Sequence, residues 1–282
     1  MTIADFIKSL TENLLSLYPQ REAKSIATTV ICQVLSIERY KCLSEPNMQI
    51  PAPQLEQLQN MASELQQAKP IQYVIGNCHF AGIKLKIKEG VLIPRPETEQ
   101  LFSLAAEDAE NILEHSKDDN FNVLDVCTGS GCLAYAFSSE FLDAQVYGCD
   151  ISDEALSIAC KQRVKCIKPV FFQADILQMP PAGLPQFDLI VSNPPYIRES
   201  EKAFMRDNVL KWEPELALFV PDENPLLFYK ALAVWSQSLL KPNGVMWMEV
   251  NEFLAHETAV LFSKAEVKKD FNDKDRFVKV VS

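Results

Sequence analysis

Two short stretches hold residue types and spacings that can do chemistry. The first is Val123-Leu124-Asp125-Val126-Cys127-Thr128-Gly129-Ser130-Gly131, an apolar run that meets a turn of small residues. Small residues let a ligand approach the backbone closely. A helix that starts there offers N–H groups to an anion. Asp150 follows nineteen residues after Gly131, at the end of the next apolar run. A carboxylate at that point can accept both hydroxyls of a ribose. Gly129-Ser130-Gly131-Cys132-Leu133-Ala134 also fits the dinucleotide fingerprint GxGxxG/A, with Asp150 as its ribose acid. Taken alone, the glycine turn leaves open a nicotinamide or flavin enzyme, and also a tight turn that binds nothing.

The second stretch is Phe187-Asp188-Leu189-Ile190-Val191-Ser192-Asn193-Pro194-Pro195-Tyr196-Ile197. A buried strand ends there and Asn-Pro-Pro-Tyr follows at once. Ligands of open α/β sheets bind at the carboxyl ends of strands. Two prolines stiffen the backbone and remove its donors. The loop then presents acceptors, the Asn193 side-chain oxygen and the Pro194 carbonyl, with Tyr196 as an aromatic wall. A planar group bearing NH₂ suits it. Such a nitrogen is a poor nucleophile because its lone pair is delocalised. Out-of-plane acceptors draw it toward tetrahedral geometry and stabilise the charge that grows as a methyl arrives. Holding nitrogen and donor in line supplies further rate. No strong general base is needed. The bland alternative is a proline-rich turn after a sheet strand.

Other titratable residues carry weaker signals. His79 reads as a solvated edge-strand residue. Glu97 and Glu99 either serve the site or are helix N-terminal acids favoured by the dipole. Lys161, Arg163, Lys165 and Lys168 read as a solvated helix face. The eight cysteines form no CxxC pair and the three histidines are scattered, so no metal site is expected. Lys plus Arg total 27 against 38 Asp plus Glu, a net charge of −11. That balance disfavours a protein that coats nucleic acid or an anionic membrane by charge alone. With no membrane-length apolar run and an amphipathic rather than signal-like start, a reduced, cytoplasmic protein is expected.

These residues need elements to place them. Ile3, Phe6, Ile7, Leu10, Leu14 and Leu17 keep helical spacing behind a Thr2/Asp5 capping box. Ile26, Val30, Val34 and Ile37 predict a second helix. Leu55, Leu58, Met61 and Leu65 predict a third, opened by Pro51 and Pro53. Residues 1–72 thus read as a small helical domain, nearly neutral with six basic and seven acidic residues. Residues 73–93 read as a β-hairpin linker. Over 94–282, strands are expected at 122–126, 145–149, 169–172, 187–191 and 244–250. Helices are expected at 131–141, 153–163 and 226–240. That alternation predicts a doubly wound, mostly parallel α/β sheet. Two terminal strands, 267–271 and 276–281, should pair antiparallel across a polar turn.

With these residues in view, the chain resembles the class I S-adenosylmethionine-dependent methyltransferases, and more closely the protein-glutamine methyltransferases that modify peptide chain release factors. The likeness spans nearly the whole chain. Besides the two stretches above it includes Pro70-Ile71-Gln72-Tyr73-Val74-Ile75-Gly76, Phe80 with Gly82, and Ile93-Pro94-Arg95-Pro96-Glu97-Thr98-Glu99. It also includes Ala174-Asp175, Glu213-Pro214 with Ala217-Leu218, Phe228-Tyr229 and Asp275-Arg276. The resemblance implies that Cys127, Thr128, Gly129, Ser130 and Gly131 hold the methionine part of the cofactor. Asp150 would bind its ribose, and Asp175 and Ile176 would flank its adenine. Asn193, Pro194, Pro195 and Tyr196 would hold the substrate amide, with Asn193 also near the cofactor. The implied substrate is the glutamine of the release-factor Gly-Gly-Gln motif, docked partly by the helical domain of a monomer. The Ile-Pro-Arg-Pro-Glu-Thr-Glu stretch is implied to lie beside the cofactor and active site.

The sequence also departs from that family. Cys127 stands where Gly is usual, and so does Asn251. After Leu218 a glycine-containing loop gives way to Phe219-Val220-Pro221-Asp222-Glu223-Asn224-Pro225, and the stretch from Ser263 to Val267 is short. The last three changes are expected away from the Asn-Pro-Pro-Tyr loop. Three rival functions remain. An adenine-N6 DNA methyltransferase shares that loop, but needs a recognition domain and a positive face. A dinucleotide oxidoreductase gives no reason for Asn193 to Tyr196. A non-catalytic adaptor would use the sheet as scaffold. No sequence-specific nucleic-acid contact is expected.

Overall fold

The computed structural model describes residues 1–115 and 120–282. The described chain forms two compact units, one of residues 1–77 with 206–212 and one of residues 78–205 with 213–282.

The first unit is helical: α1 (Ile3–Leu14), α2 (Gln20–Leu35), α3 (Lys41–Ser44), α4 (Ala52–Gln66) and α5 (Ile71–Ile75). The capping box closes α1: Asp5 N donates to Thr2 Oγ1 and Thr2 N to Asp5 Oδ2, both at 3.1 Å. Ile3, Phe6, Leu10 and Leu14 are its buried stripe. In α2 the buried stripe is Ala23, Ile26, Ala27, Val30 and Ile31. The helix stops before Ile37, because Ser36 turns left-handed at φ 53°. These stripes meet Leu58 and Leu65 of α4 in one core. Later in the chain a short helix belongs to this unit, and Trp212 Nε1 donates to the Gln67 carbonyl at 3.2 Å.

In the second unit a hairpin, β1 (Asn77–Phe80) and β2 (Ile83–Lys86), precedes α6 (Pro96–His115). Then come β3 (Asn122–Val126), α7 (Cys132–Glu140), β4 (Gln145–Asp150), α8 (Asp153–Ala159), β5 (Val170–Gln173) and β6 (Phe187–Ser192). A two-residue pair, β7 (Ile197–Arg198) and β8 (Phe219–Val220), brackets the helix that belongs to the first unit, α9 (Asp207–Leu210). The chain ends with α10 (Leu227–Leu239), β9 (Leu240–Glu249), α11 (Ala255–Ala259), β10 (Ala265–Lys269) and β11 (Asp275–Val281).

One seven-stranded sheet runs β10-β11-β9-β6-β3-β4-β5. The expected mostly parallel sheet is present: β5, β4, β3, β6 and β9 are parallel neighbours, and β11 lies antiparallel to both β9 and β10. The central strands are buried on both faces, which is why they read as continuous apolar runs. Val123, Leu189, Val191 and Trp247 pack under α6 and α7. Leu124, Ile190, Met246 and Met248 pack under Tyr229, Leu232 and Trp235 of α10. The chain order reverses between β3 and β6, which is where open α/β sheets leave a crevice for a ligand.

One expected helix is shorter than its sequence suggests. The 153–163 stretch leaves the helix at Ala159. Gln162 turns inward instead: its amide oxygen accepts from Lys86 N at 2.8 Å, and its NH₂ donates to the carbonyls of Lys86 and Ser130. Lys161, Arg163, Lys165 and Lys168 are therefore exposed on an irregular segment, not on a helix face.

Candidate active site

The crevice at the carboxyl ends of β3, β4 and β6 is a cleft of about 950 Å³ open to solvent. Of the residues singled out from sequence, Cys127, Gly129, Asp150, Asp175, Ile176, Asn193 and Pro195 line it. Thr128, Ser130, Gly131 and Pro194 are buried and do not line it, and Tyr196 lies outside that lining as well.

The turn after β3 is built on Asp125. Its Oδ2 accepts from Thr128 Oγ1 at 2.5 Å and from Ala134 N at 3.1 Å, joining strand, turn and helix. Cys127, Gly129 and Gly131 all have positive φ, at 62°, 54° and 82°. Glycine adopts that region freely, whereas a residue with a Cβ is strained by roughly 1–2 kcal/mol. Cys127 therefore occupies a position whose backbone asks for glycine. Burial holds its thiol well above the ordinary range, so it stays neutral.

Asp150 braces the same turn. Its Oδ2 accepts from Gly129 N at 2.9 Å and its Oδ1 from Ser152 N at 3.0 Å. Burial raises its pKa, against the N–H groups of Ser152, Gly129 and Ile151. Each carboxylate oxygen retains a second lone pair for a ligand. The turn is a poorer anion cradle than its glycines suggest. The N–H groups of Gly129, Gly131 and Ala134 are used on Asp150, the Thr128 carbonyl and Asp125.

The electrostatics of the cleft select among ligands. Asp150 and Asp175 line it, and among the described residues no Lys or Arg does. Asp125 lies just behind, with its Oδ1 buried and without a hydrogen-bond partner among the described residues. Such a wall opposes a pyrophosphate and favours a ligand with positive charge. The same lining includes Ile151, Ile176, Leu177 and Phe228, which supply apolar surface fit for a flat ring.

The Asn-Pro-Pro-Tyr loop leaves the end of β6, where Ser192 Oγ donates to the Val126 carbonyl at 2.8 Å and ties β6 to β3. Asn193 Nδ2 donates to Thr98 Oγ1 at 2.9 Å. Thr98 Oγ1 donates to Glu249 Oε2 at 2.8 Å, and the Tyr196 hydroxyl donates to Glu249 Oε1 at 2.7 Å. Glu249 is 1% exposed and Thr98 2%. Burial raises the Glu249 pKa, opposed by the two hydroxyl donors and by Arg276. The Tyr196 phenol is likewise pushed far up, first by burial and then by the Glu249 charge.

Sequence reasoning gave no role to three residues that hold this site, although Thr98 and Glu213 lie in stretches it singled out. Thr98 and Glu249 carry the loop's side chains. Glu213 clamps the Ile-Pro-Arg-Pro-Glu-Thr-Glu segment: its Oε2 accepts from Ile93 N at 3.0 Å and its Oε1 from Arg95 Nη2 at 2.5 Å. A signal existed for Glu249, an acid at the end of the apolar run Val245-Met246-Trp247-Met248. Glu99 accepts from Ala81 N at 2.7 Å and so braces the hairpin turn, while His79 is exposed.

Two of the departures do not lie away from the loop, contrary to expectation. Asn251 Nδ2 donates to the Tyr196 carbonyl at 3.3 Å and to Glu201 Oε1 at 3.4 Å. The segment after Leu218 supplies β8, which pairs with β7 directly after Tyr196. Both replacements rebuild the support of the loop, because the chain folds back onto it.

The sheet order with this cleft at its switch point defines a class I methyltransferase fold, and residues 117–281 match the methyltransferase domain family. Residues 8–76 match the family described as the PrmC N-terminal domain. The release factor glutamine methyltransferase of Bacteroides thetaiotaomicron is 36% identical over 275 residues, covering 95% of this chain and 96% of that one. That of Flavobacterium psychrophilum is 35% identical and covers 99% of both chains. That of Chlorobaculum tepidum is 34% identical over 90% of this chain and 89% of its own. The chain belongs to the release factor glutamine methyltransferase family.

Proposed function

We propose that the protein transfers a methyl group from S-adenosylmethionine to the side-chain amide nitrogen of the Gly-Gly-Gln glutamine of peptide chain release factors. The observation that carries the reading is the placement of Asn193. Its NH₂ is spent on Thr98, so its oxygen is the end left to accept from a guest.

The cleft fits the cofactor on its own chemistry. The lining carboxylates suit a cationic sulfonium and disfavour pyrophosphate. The backbone from Cys127 to Gly131, with Thr128 and Ser130 shaping it from behind, would hold the methionine part. Asp150 would accept the ribose hydroxyls, and Asp175 and Ile176 would flank the adenine. The cofactor supplies an electrophilic methyl group. Asn193 and the Pro194 carbonyl accept the two N–H bonds of the glutamine amide, while Pro195 walls the pocket and Tyr196, held by Glu249, stiffens the loop from outside the cleft lining. Accepting those bonds localises the nitrogen lone pair and stabilises the charge that develops on nitrogen. The alkylated amide then loses its proton to water, so no side chain is needed as base.

The helical unit contributes docking surface for the release factor, and the enzyme works as a monomer in the cytoplasm, without sequence-specific nucleic-acid contact. The net charge of −11 supports a protein substrate over a nucleic-acid one. Among the described residues no helix is long and apolar enough to cross a membrane. Mass spectrometry of a co-expressed release factor tests the assignment. The glutamine should gain one methyl group in mass with the wild-type chain and none with Asn193→Ala. Full methylation by that variant would sink the reading.

A further inference from the structure

We propose that Glu249 fixes which end of the Asn193 side chain faces the substrate, acting through Thr98 as a positioning residue. The inference rests on the reading of Asn193 as acceptor for the glutamine amide and adds the residues that make it one. The two ends of a carboxamide are nearly the same size, so packing alone cannot orient it. A directional partner is required.

That partner is a chain of donors ending on one buried carboxylate. An ionised carboxylate has no proton to give. The single hydroxyl proton of Thr98 is committed to Glu249 Oε2 at 2.8 Å. Thr98 can then only accept from Asn193, at 2.9 Å. The NH₂ end therefore faces Thr98 and the oxygen end is turned to the guest. In the reverse orientation two NH₂ groups would confront each other, and binding would be lost.

The same carboxylate takes the Tyr196 hydroxyl at 2.7 Å. One side chain thus holds both flanks of the two prolines. Its position is rigid, since β9 pairs with β6 up to Ser192 and Met248, the neighbours of Asn193 and Glu249. Arg276 is close, yet its own bonds go to Asp270 and the Val250 carbonyl. Among the described residues Glu249 makes no ion pair, and a carboxylate buried on two hydroxyls alone is costly to the fold. Orienting the pocket is what offsets that cost.

Three variants of the full-length enzyme test the proposal. Glu249→Gln keeps the shape but can donate, so the Thr98 hydroxyl can reverse and bond the Asn193 oxygen. Thr98→Val keeps the shape and removes the relay, whereas Thr98→Ser preserves it. With release factor and saturating cofactor, kcat should fall about 10²-fold in Glu249→Gln and Thr98→Val, and Thr98→Ser should restore it. The KM for the methyl donor should stay within about twofold in all three, because the chain serves the amide and not the cofactor. In ¹⁵N spectra of the substrate-free protein, the Asn193 side-chain NH₂ should exchange slowly in wild type and Thr98→Ser, and rapidly in Thr98→Val. Unchanged Asn193 signals or wild-type kcat in Thr98→Val would overturn the inference, even if Glu249→Gln fails to fold. A wild-type enzyme that leaves the glutamine unmodified sinks the substrate reading instead, and the spectra still decide the orientation of Asn193.

Discussion

Asp125 shows how far a residue's charge can be set by its place. Burial pushes its pKa up to about 7, the Thr128 hydroxyl and Ala134 N–H pull it down, and the Asp150 charge adds to the rise. In the unfolded chain the ordinary value is 3.8. The folded state thus holds this proton more tightly. The stability it contributes is fully present below 3.8 and lost as pH rises through about 7. The loss is at most on the order of 4 kcal/mol. Asp125→Asn removes the ionisation, so its melting temperature relative to wild type should be higher at about pH 8.5 than at about pH 5. An equal difference at both pH values would show that the carboxyl is already ionised in the folded protein at about pH 5. The residues of this turn were readable in sequence, because small residues and an acid follow each other along the chain. The aim of Asn193 was not, since Thr98 lies 95 positions away and Glu249 lies 151 from Thr98.

Elements carry these residues with little slack. At Gly148 of β4, a Cβ would stand 2.7 Å from the Phe171 ring and 3.0 Å from Thr128 Oγ1. Neither neighbour is free to move: the ring belongs to β5 and the hydroxyl is bound to Asp125. Gly148→Ala should therefore cost about 1–3 kcal/mol, read from urea unfolding, and also weaken cofactor binding by shifting the turn. A variant as stable as wild type would show that β5 can yield. The strand pattern was legible because each buried strand is a continuous apolar run between turns. The end of α8 was not. Its continuation to 163 is allowed by local propensity and is overridden by the distant bonds of Gln162.

For the molecule as a whole, charge distinguishes the readings left open by the glycine turn. The acidic cleft should admit S-adenosylmethionine and refuse NAD. At about 100 times its Kd, a ligand that binds only the folded state stabilises by about 2.7 kcal/mol. A clear rise in melting temperature is expected with S-adenosylmethionine and none with NAD at the same concentration. A rise with NAD alone would return the oxidoreductase reading. Composition could exclude a charge-driven nucleic-acid coat. It could not reveal the placement of carboxylates without cations, which arises only when β3, β4 and the segment after β5 converge.

The insertion of β11 between β9 and β10 bears on how the protein folds. Among the described residues β10 neighbours β11 alone, so it reaches the sheet only through β11. Until β11 arrives, Val245 to Met248 of β9 form an open, apolar edge. Such an edge is a template for pairing with other chains. The folding polypeptide thus passes through an aggregation-prone interval before β11 docks, and a chaperone able to shield a strand edge would raise the yield of native enzyme.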